Sequence, residues 1–207
     1  NVAPSIKSAA DLKGKVVGSD QPGTISEFQI VSMLSELGLR PSDVILRPLG
    51  GSAVRISSLL AGQVQAAGLN PPFSFQAEGE GYKLLANLYK PPVLDLGAVV
   101  LRSRIDELTA ALVPFVEGCR EGVRAFNKQP ELAIKVMQQY TKESDSDILR
   151  KTYDLYKDSV PFQEDQQPSL EAIQAMLEFM GNTIPAAKTA KAEQFVDTRI
   201  VSRMAKA

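Results

Sequence analysis

Residues 15–37 read KVVGSDQPGTISEFQIVSMLSEL and change from a β-leaning run to an amphipathic pattern across a single turn. The β-leaning part ends at the proline and glycine of residues 21–24, which are typical turn formers. From Phe28 onward apolar side chains recur every third residue, and this spacing predicts a helix. Gly38 suits the C-terminal end of that helix, and Pro41 prevents its easy continuation. The segment therefore predicts a strand in its first residues, followed by a helix.

The same alternation continues along the first part of the chain. The predicted elements are a strand at 44–49, a helix from Ser52 to about Gly62, a strand at 64–69, a short helix at 73–80 and a strand at 82–89. Ser52 follows two glycines and is placed to cap its helix. Strands separated by helices of about ten residues indicate a parallel sheet with right-handed crossovers. This part of the chain is therefore predicted to be α/β, with a parallel-type sheet.

The pattern changes after a last strand candidate at 96–101, because long helical periodicity follows it. The predicted helices span 105–127, 130–140, 144–158 and 169–180, with a short tail helix at 198–206. Pro114 and Gly118 are expected to kink the first of these helices or to split off its first turns. We therefore predict an α/β domain at residues 1–97 and a mainly helical region at residues 98–207.

The composition argues against several function classes. The 23 basic and 24 acidic residues leave a formal net charge of -1, so no global field attracts nucleic acid or an anionic membrane. The sequence has no histidine, which excludes hydrolytic triads and histidine-based zinc sites. The turn at 21–24 lacks the glycine and lysine pattern of a nucleotide-binding loop. We expect no catalytic residue, no cofactor, no metal site and no nucleic-acid partner.

Two further features concern the compartment in which the chain works. No apolar run approaches the roughly 20 residues that span a bilayer, and residues 1–8 lack the basic and apolar regions of a secretion signal. The single cysteine, Cys119, fits a reduced cytosol and equally fits the many exported proteins without disulfides. Its place in a predicted helix indicates a small core residue. These residues leave the compartment open.

Three loops follow three successive predicted strands, at the sheet edge where ligands of open parallel sheets usually bind. In the first loop, Gly23 and Thr24 lead into a helix whose free N–H groups and positive dipole end suit a carboxylate, a sulfonate or a similar anion. Gly51 and Ser52 repeat this arrangement in the second loop. Taken singly, each pair is equally explained as a turn and helix cap.

Two more residues join these pairs as candidate ligand-binding residues. Asn70 offers a side-chain amide on a rigid turn before two prolines. Arg55 lies one turn into its helix, where it suits an anion and equally suits a solvated surface position. The predicted ligand-binding residues are Gly23, Thr24, Gly51, Ser52, Arg55 and Asn70.

Six segments, in order and spacing, carry a resemblance to a known family. They are SAADLKGKVVG at 8–18, GT at 23–24, LGLRPSDV at 37–44, GGSAVR at 50–55, LAGQVQAA at 60–67 and NPP at 70–72. Together they resemble the SsuA/THI5-like, or NMT1, family of substrate-binding proteins of ABC importers for nitrate, sulfonates, taurine and thiamine precursors. The resemblance covers about the first seventy residues, and the helical remainder is compatible with it but less diagnostic.

The resemblance implies a two-lobed, type II periplasmic-binding fold that closes like a hinge on a small solute and presents it to a membrane permease. It implies no catalysis, and a location in the periplasm or, through a lipid anchor, at the cell envelope. The three loops would line the cleft. In the family most of a first lobe precedes the DLKGK segment, whereas ten residues precede it here. Residues 1–97 would then be the second lobe, and residues 98–207 would pack with a first lobe whose N-terminal part is missing.

Two other functions stay open. Related two-lobed folds serve as intracellular ligand-sensing domains of transcription regulators, and an upstream helix-turn-helix rather than an export signal would identify that class. The THI5 branch contains a biosynthetic enzyme, but the lack of histidine disfavours a histidine-dependent active site.

Overall fold

The computed structural model describes residues 1–87, 97–159, 162–182 and 184–204. The chain divides into two compact units. Unit 1 contains Asn1–Tyr89 and Thr141–Thr152, and unit 2 contains Lys90–Tyr140 and Tyr153–Ala207.

Unit 1 is built on a parallel three-stranded sheet of order β2-β1-β3. The strands are β1 (Val16–Ser19), β2 (Ile45–Pro48) and β3 (Ala66–Ala67). In the register of the sheet, Val17 of β1 is paired with Leu46 on one side and with Ala66 on the other. The parallel α/β fold predicted from the alternating pattern is therefore confirmed.

Three helices of unit 1 connect or follow these strands: α1 (Ile25–Glu36), α2 (Ser52–Leu60) and α3 (Phe73–Gly79). The buried face of α1 contributes Ile30 and Leu34 to a core against the sheet. The other buried members of this core are Val2, Ile6, Leu12, Val17, Leu39, Val44 and Ala66. A smaller cluster, Leu59, Val64 and Ala67, lies beside α2. The three predicted helices of this part are confirmed.

Over the described residues, the strand prediction at 64–69 was too long, and the strand predictions at 82–89 and 96–101 were wrong. β3 has only two residues, and from 82 to 87 only Lys83 forms a bridge, with Val2. Residues 97–101 form neither strand nor helix, and the remaining residues of these two predicted strands lie outside the described ranges. Val99 is 91% exposed, so β propensity without a neighbouring strand does not make a strand there.

The C-terminal region is helical, as predicted. Its helices are α4 (Ile105–Lys128), α5 (Pro130–Thr141), α6 (Ser146–Ser159), α7 (Leu170–Met180) and α8 (Arg199–Met204). α6 begins in unit 1 and continues in unit 2. Helix α4 runs without interruption through Pro114 and Gly118, so the expectation that these residues split it is wrong.

Unit 2 has a small apolar core and an aromatic cluster. The core is formed by Ile173, Leu177, Ala187 and Ala192. In the cluster, the ring of Phe126 lies 4.9 Å from that of Tyr153 and 5.2 Å from that of Phe162. Ile105 is the only buried residue of α4, all of whose residues are described. Cys119 on this helix is exposed and not a core residue, because α4 buries so little of its surface.

Candidate functional site

The register of the sheet brings the three predicted loops to one edge. Ser19, Pro48 and Ala67 end their parallel strands side by side. Beyond the strands, Leu49 N–H donates to the carbonyl of Ser19 at 2.9 Å, and Gly68 N–H donates to that of Gly18 at 3.3 Å. We call residues 20–24, 49–52 and 68–72 the loop edge.

The first loop uses its donors internally. Gly23, whose φ is +83°, donates its N–H to the Glu27 carboxylate at 2.6 Å. The Thr24 hydroxyl donates to the carbonyl of Gln21 at 2.8 Å and accepts from Glu27 N–H at 3.3 Å. The Thr24 side chain thus caps α1, and the Glu27 carboxylate accepts from the residue before the cap. Thr24 is therefore the N-cap of α1, and a carboxylate already lies at this helix end.

The second loop starts α2 without a side-chain cap. Gly50 has a φ of +82°, and Gly51 is the N-cap, so the prediction that Ser52 caps the helix is wrong by one residue. The carbonyl of Gly51 accepts from the N–H groups of Val54 and Arg55. A Cβ at Gly51 would meet no atom within 4 Å. The first backbone N–H groups of a helix have no partner within it. In α2 these groups follow Gly51, which has no side chain and has open space around its Cα.

The Ser52 hydroxyl joins the second loop to the third. It accepts a hydrogen bond from Nη2 of Arg55 at 3.0 Å and another from the backbone N–H of Asn70 at 3.3 Å. The side chain that was expected to cap its own helix instead links two loops of the sheet edge.

Arg55 is buried, with 2% of its surface exposed. The interpretation of Arg55 as a solvated surface residue is therefore wrong. It shares the buried face of α2 with Ile56 and Leu59, and that face packs on the sheet. Nη1 of Arg55 lies 3.7 Å from the Asp20 carboxylate. Among the described residues, Nε and Nη1 have no hydrogen-bond acceptor. Burial lowers the pKa of Arg55 and the Asp20 charge opposes that shift, but an arginine stays charged at neutral pH.

Asn70, the sixth predicted residue, is exposed. Its carbonyl accepts from Ser74 N–H at the start of α3, and the next peptide bond, Pro71–Pro72, is cis. The structure thus brings Ser52, Arg55 and Asn70 into direct hydrogen-bonded contact, with Gly51 adjacent in sequence. Gly23 and Thr24 lie in a neighbouring loop of the same edge.

Sequence reasoning missed two carboxylates of the loop edge. Asp20 directly follows β1, at the strand end where side chains face a ligand edge, and that position was a usable signal. Glu27 stands three residues after Thr24, which is the spacing of a capping box. With both included, one buried guanidinium, Arg55, and two carboxylates lie at the loop edge or in the first turn of the helix that follows it.

A second buried ionisable group of unit 1 lies in the segment between α5 and α6. Glu143 is 8% exposed, and its carboxylate accepts hydrogen bonds from the Gln76 amide and from Asp145 N–H. Burial raises the pKa of Glu143, but the hydrogen bonds from Asp145, Gln76 and Ser144 outweigh it and hold that pKa below the ordinary glutamate value. This carboxylate serves as an acceptor that joins α3 to the segment before α6.

Two other kinds of site are absent from the described residues. These residues contain no group of three or more Cys, Asp or Glu side chains arranged to hold a metal ion. None of the helices in the described ranges combines the length and the apolar character that a membrane crossing requires.

Comparison with known proteins agrees with this fold. The NMT1/THI5 like family model matches residues 2–133. A putative ABC transporter periplasmic binding protein of Brachyspira hyodysenteriae (strain ATCC 49526 / WA1) is 26% identical over 68% of this chain and 41% of its own. The chain therefore spans about two fifths of the length of that relative.

Two solved structures have the same fold at low identity. The alkanesulfonate-binding protein SsuA from Xanthomonas axonopodis pv. citri, bound to MOPS, matches with a TM-score of 0.66 and 18% identity, over 96% of this chain and 65% of that one. The periplasmic aliphatic sulphonate binding protein SsuA from Escherichia coli matches with a TM-score of 0.68 and 16% identity, over 97% and 69%. The resemblance drawn from the six segments is confirmed: the chain belongs to the NMT1/THI5-like family.

Proposed function

We propose that this chain is the solute-binding component of an ABC importer, which captures a small anionic solute by hinge closure and delivers it to a membrane permease. The observation that carries the proposal is the contact between the buried Arg55 and Ser52 at the loop edge. The buried guanidinium has N–H groups without an acceptor among the described residues, and it lies beside the start of α2, where a helix favours an anion. Family membership supports the same function.

The proposed solute class is a small organic or inorganic anion, with an alkanesulfonate as the leading example. Backbone N–H groups at a helix start and a nearby arginine suit an oxyanion. Two structural neighbours carry names that specify alkanesulfonate or aliphatic sulphonate binding. The residues proposed to form the ligand site, by direct contact or by positioning a contacting group, are Gly23, Thr24, Gly51, Ser52, Arg55 and Asn70.

The proposed organisation is that of a two-lobed protein. Residues 1–97 form the second lobe, and residues 98–207 pack with the first lobe. Two observations support this: this chain spans only 65% and 69% of the two SsuA chains, and unit 2 exposes large apolar side chains. These include Val99, Leu101, Phe115, Tyr140 and Phe195. Large exposed apolar side chains favour a covering surface in the whole protein.

The proposed site of action is the periplasm, with or without a lipid anchor, and the proposed partner is an ABC permease. The name of the Brachyspira relative supports this location. In this proposal the chain binds its solute without chemical change and needs no cofactor.

The proposal is tested by NMR titration of the ¹⁵N-labelled protein with ethanesulfonate, sulfate and nitrate, and with ethylamine as a cation of similar size. We expect at least one anion to shift the amide signals of the loop edge in a saturable way. Ethylamine should leave them unchanged. If no anion shifts these signals, or if ethylamine shifts them as strongly, the proposed function is wrong. Ser57→Ala, a substitution on an exposed position of α2, is the matched control and should bind like the wild type.

A further inference from the structure

The Ser52 hydroxyl has a fixed hydrogen-bond role. A serine hydroxyl offers one proton and two acceptor sites. At Ser52 both acceptor sites are taken, by Nη2 of Arg55 at 3.0 Å and by the backbone N–H of Asn70 at 3.3 Å. Neither partner can reverse its role, because guanidinium and backbone N–H groups only donate. The proton of Ser52 is therefore the one hydrogen-bonding capacity that remains for another group.

Thr24, in the first loop, has the opposite polarity. Its hydroxyl proton is directed to the carbonyl of Gln21, and it accepts from Glu27 N–H. The neighbouring Gly23 N–H is held by the Glu27 carboxylate. An anion at the start of α1 would find these donors occupied and would meet a like charge, which is unfavourable.

We infer that the anionic head group binds at the start of α2 and accepts a hydrogen bond from the Ser52 hydroxyl. Arg55 is then a positioning residue: together with the backbone N–H of Asn70, it fills the acceptor sites of Ser52, so that this hydroxyl can only donate. This inference rests on the proposed function and narrows its site. Arg55 acts through Ser52 because 98% of its surface is covered, while Ser52 is partly exposed and Gly51 leaves open space in front of it.

The same geometry selects the chemical class of the head group. A donor-only hydroxyl beside the N–H groups of a helix start favours an oxyanion with no proton of its own, such as a sulfonate or sulfate. A head group that carries N–H donors would place donor against donor and leave the Ser52 proton unpaired. The site is therefore expected to discriminate ethanesulfonate from a cation of similar size through this hydroxyl.

The test is a set of ethanesulfonate titrations followed by NMR, with wild type, Ser52→Ala, Ser52→Thr, Arg55→Gln and the double variant. Ser52→Ala should lower affinity about tenfold, the value of one hydrogen bond to a charged group. Ser52→Thr keeps a hydroxyl and should restore most of that loss. Arg55→Gln should weaken binding, but the double variant should bind no more weakly than Ser52→Ala alone, since Arg55 acts through the hydroxyl.

The outcomes separate the two proposals. Binding by the wild type and equally by Ser52→Ala overturns this inference and leaves the proposed function standing. Losses that add in the double variant also overturn it, because they would mean that Arg55 contacts the anion directly. Failure of the wild type to bind any of the anions overturns both. Arg55→Gln leaves Asp20 unpaired, so Asp20→Asn/Arg55→Gln is measured beside it, and the Ser52→Ala and Ser52→Thr pair tests the hydroxyl with Arg55 intact.

Discussion

At Arg55, a single buried side chain connects three loops that are distant in sequence. Its guanidinium lies 3.7 Å from Asp20 and hydrogen-bonds Ser52, which in turn accepts from Asn70. The sequence predicted three of these four as site residues: Ser52 and Asn70 because they follow predicted strands, and Arg55 because it lies one turn into the next helix. It did not predict the burial of Arg55, since which face of α2 is covered depends on the sheet beneath it. The polarity of the Ser52 hydroxyl likewise depends on a contact across 18 residues.

Gly68 is a residue whose lack of a side chain is required by packing. A Cβ there would lie 2.6 Å from Cγ1 and 2.7 Å from Cδ1 of Ile30, which is buried in the core. Gly68→Ala should therefore lower the free energy of unfolding by about 1–3 kcal/mol, the usual cost of overpacking. Urea unfolding measures this change. Gly79→Ala, where a Cβ meets nothing within 4 Å, is the control, and an equal effect of both substitutions would refute the packing argument.

Helices and strands of this chain differ in how locally they are specified. α1 begins at the N-cap Thr24, whose hydroxyl accepts from Glu27 N–H. α6 follows Asp145, whose carboxylate accepts from Asp147 and Ile148 N–H, and α7 begins at its N-cap Ser169. Such caps lie within three residues of the groups they bind, so sequence patterns predict helix starts well. Strands require a partner elsewhere in the chain. This is why the six-residue prediction at 64–69 shrank to two paired residues.

The cap of α7 provides a prediction at this scale. The Ser169 hydroxyl accepts from Ala172 N–H at 3.2 Å. Ser169→Ala should lower the free energy of unfolding by about 1 kcal/mol, because that N–H loses its partner at the helix start. Thermal unfolding followed by circular dichroism tests it. Ser202→Ala, at an exposed position of α8, should leave the melting temperature unchanged, and a similar loss in both variants would count against a capping role.

At the scale of the whole molecule, unit 1 is built from two segments that are far apart in the sequence. Unit 1 takes in Thr141–Thr152, although its sheet lies in the first part of the chain. No local pattern in the sequence predicts that residues 141–152 belong to unit 1. Their place there depends on contacts between distant residues, such as the hydrogen bond between Gln76 and Glu143. The sequence therefore predicted the α/β and helical regions but not which helical segment joins the sheet unit.

The Glu143 carboxylate makes the free energy of unfolding depend on pH in the acidic range. Because its folded-state pKa is depressed, its stabilising contribution is complete above the ordinary glutamate pKa of 4.5 and is lost as the pH falls through the lower folded value. Glu143→Gln should lower the free energy of unfolding at pH 7 by about 1–3 kcal/mol, since an amide cannot accept both bonds equally.

The same substitution should also flatten the loss of stability below about pH 4.5, because it removes this titrating group. Urea unfolding at pH 7, 5 and 3.5 measures both effects. Glu80→Gln, at an exposed position, should keep the wild-type pH profile. Parallel profiles for wild type and Glu143→Gln would show that this carboxylate does not contribute to acid sensitivity.

The exposure of Cys119 has a practical consequence. It is the only cysteine of the sequence and lies at the surface of α4, in unit 2. A maleimide fluorophore would therefore label each chain once, without any engineered thiol. Because the proposed solute contacts lie in unit 1, a change in emission on adding ethanesulfonate would report an effect transmitted to the other unit. The protein thus carries its own attachment point for an optical sensor of solute capture.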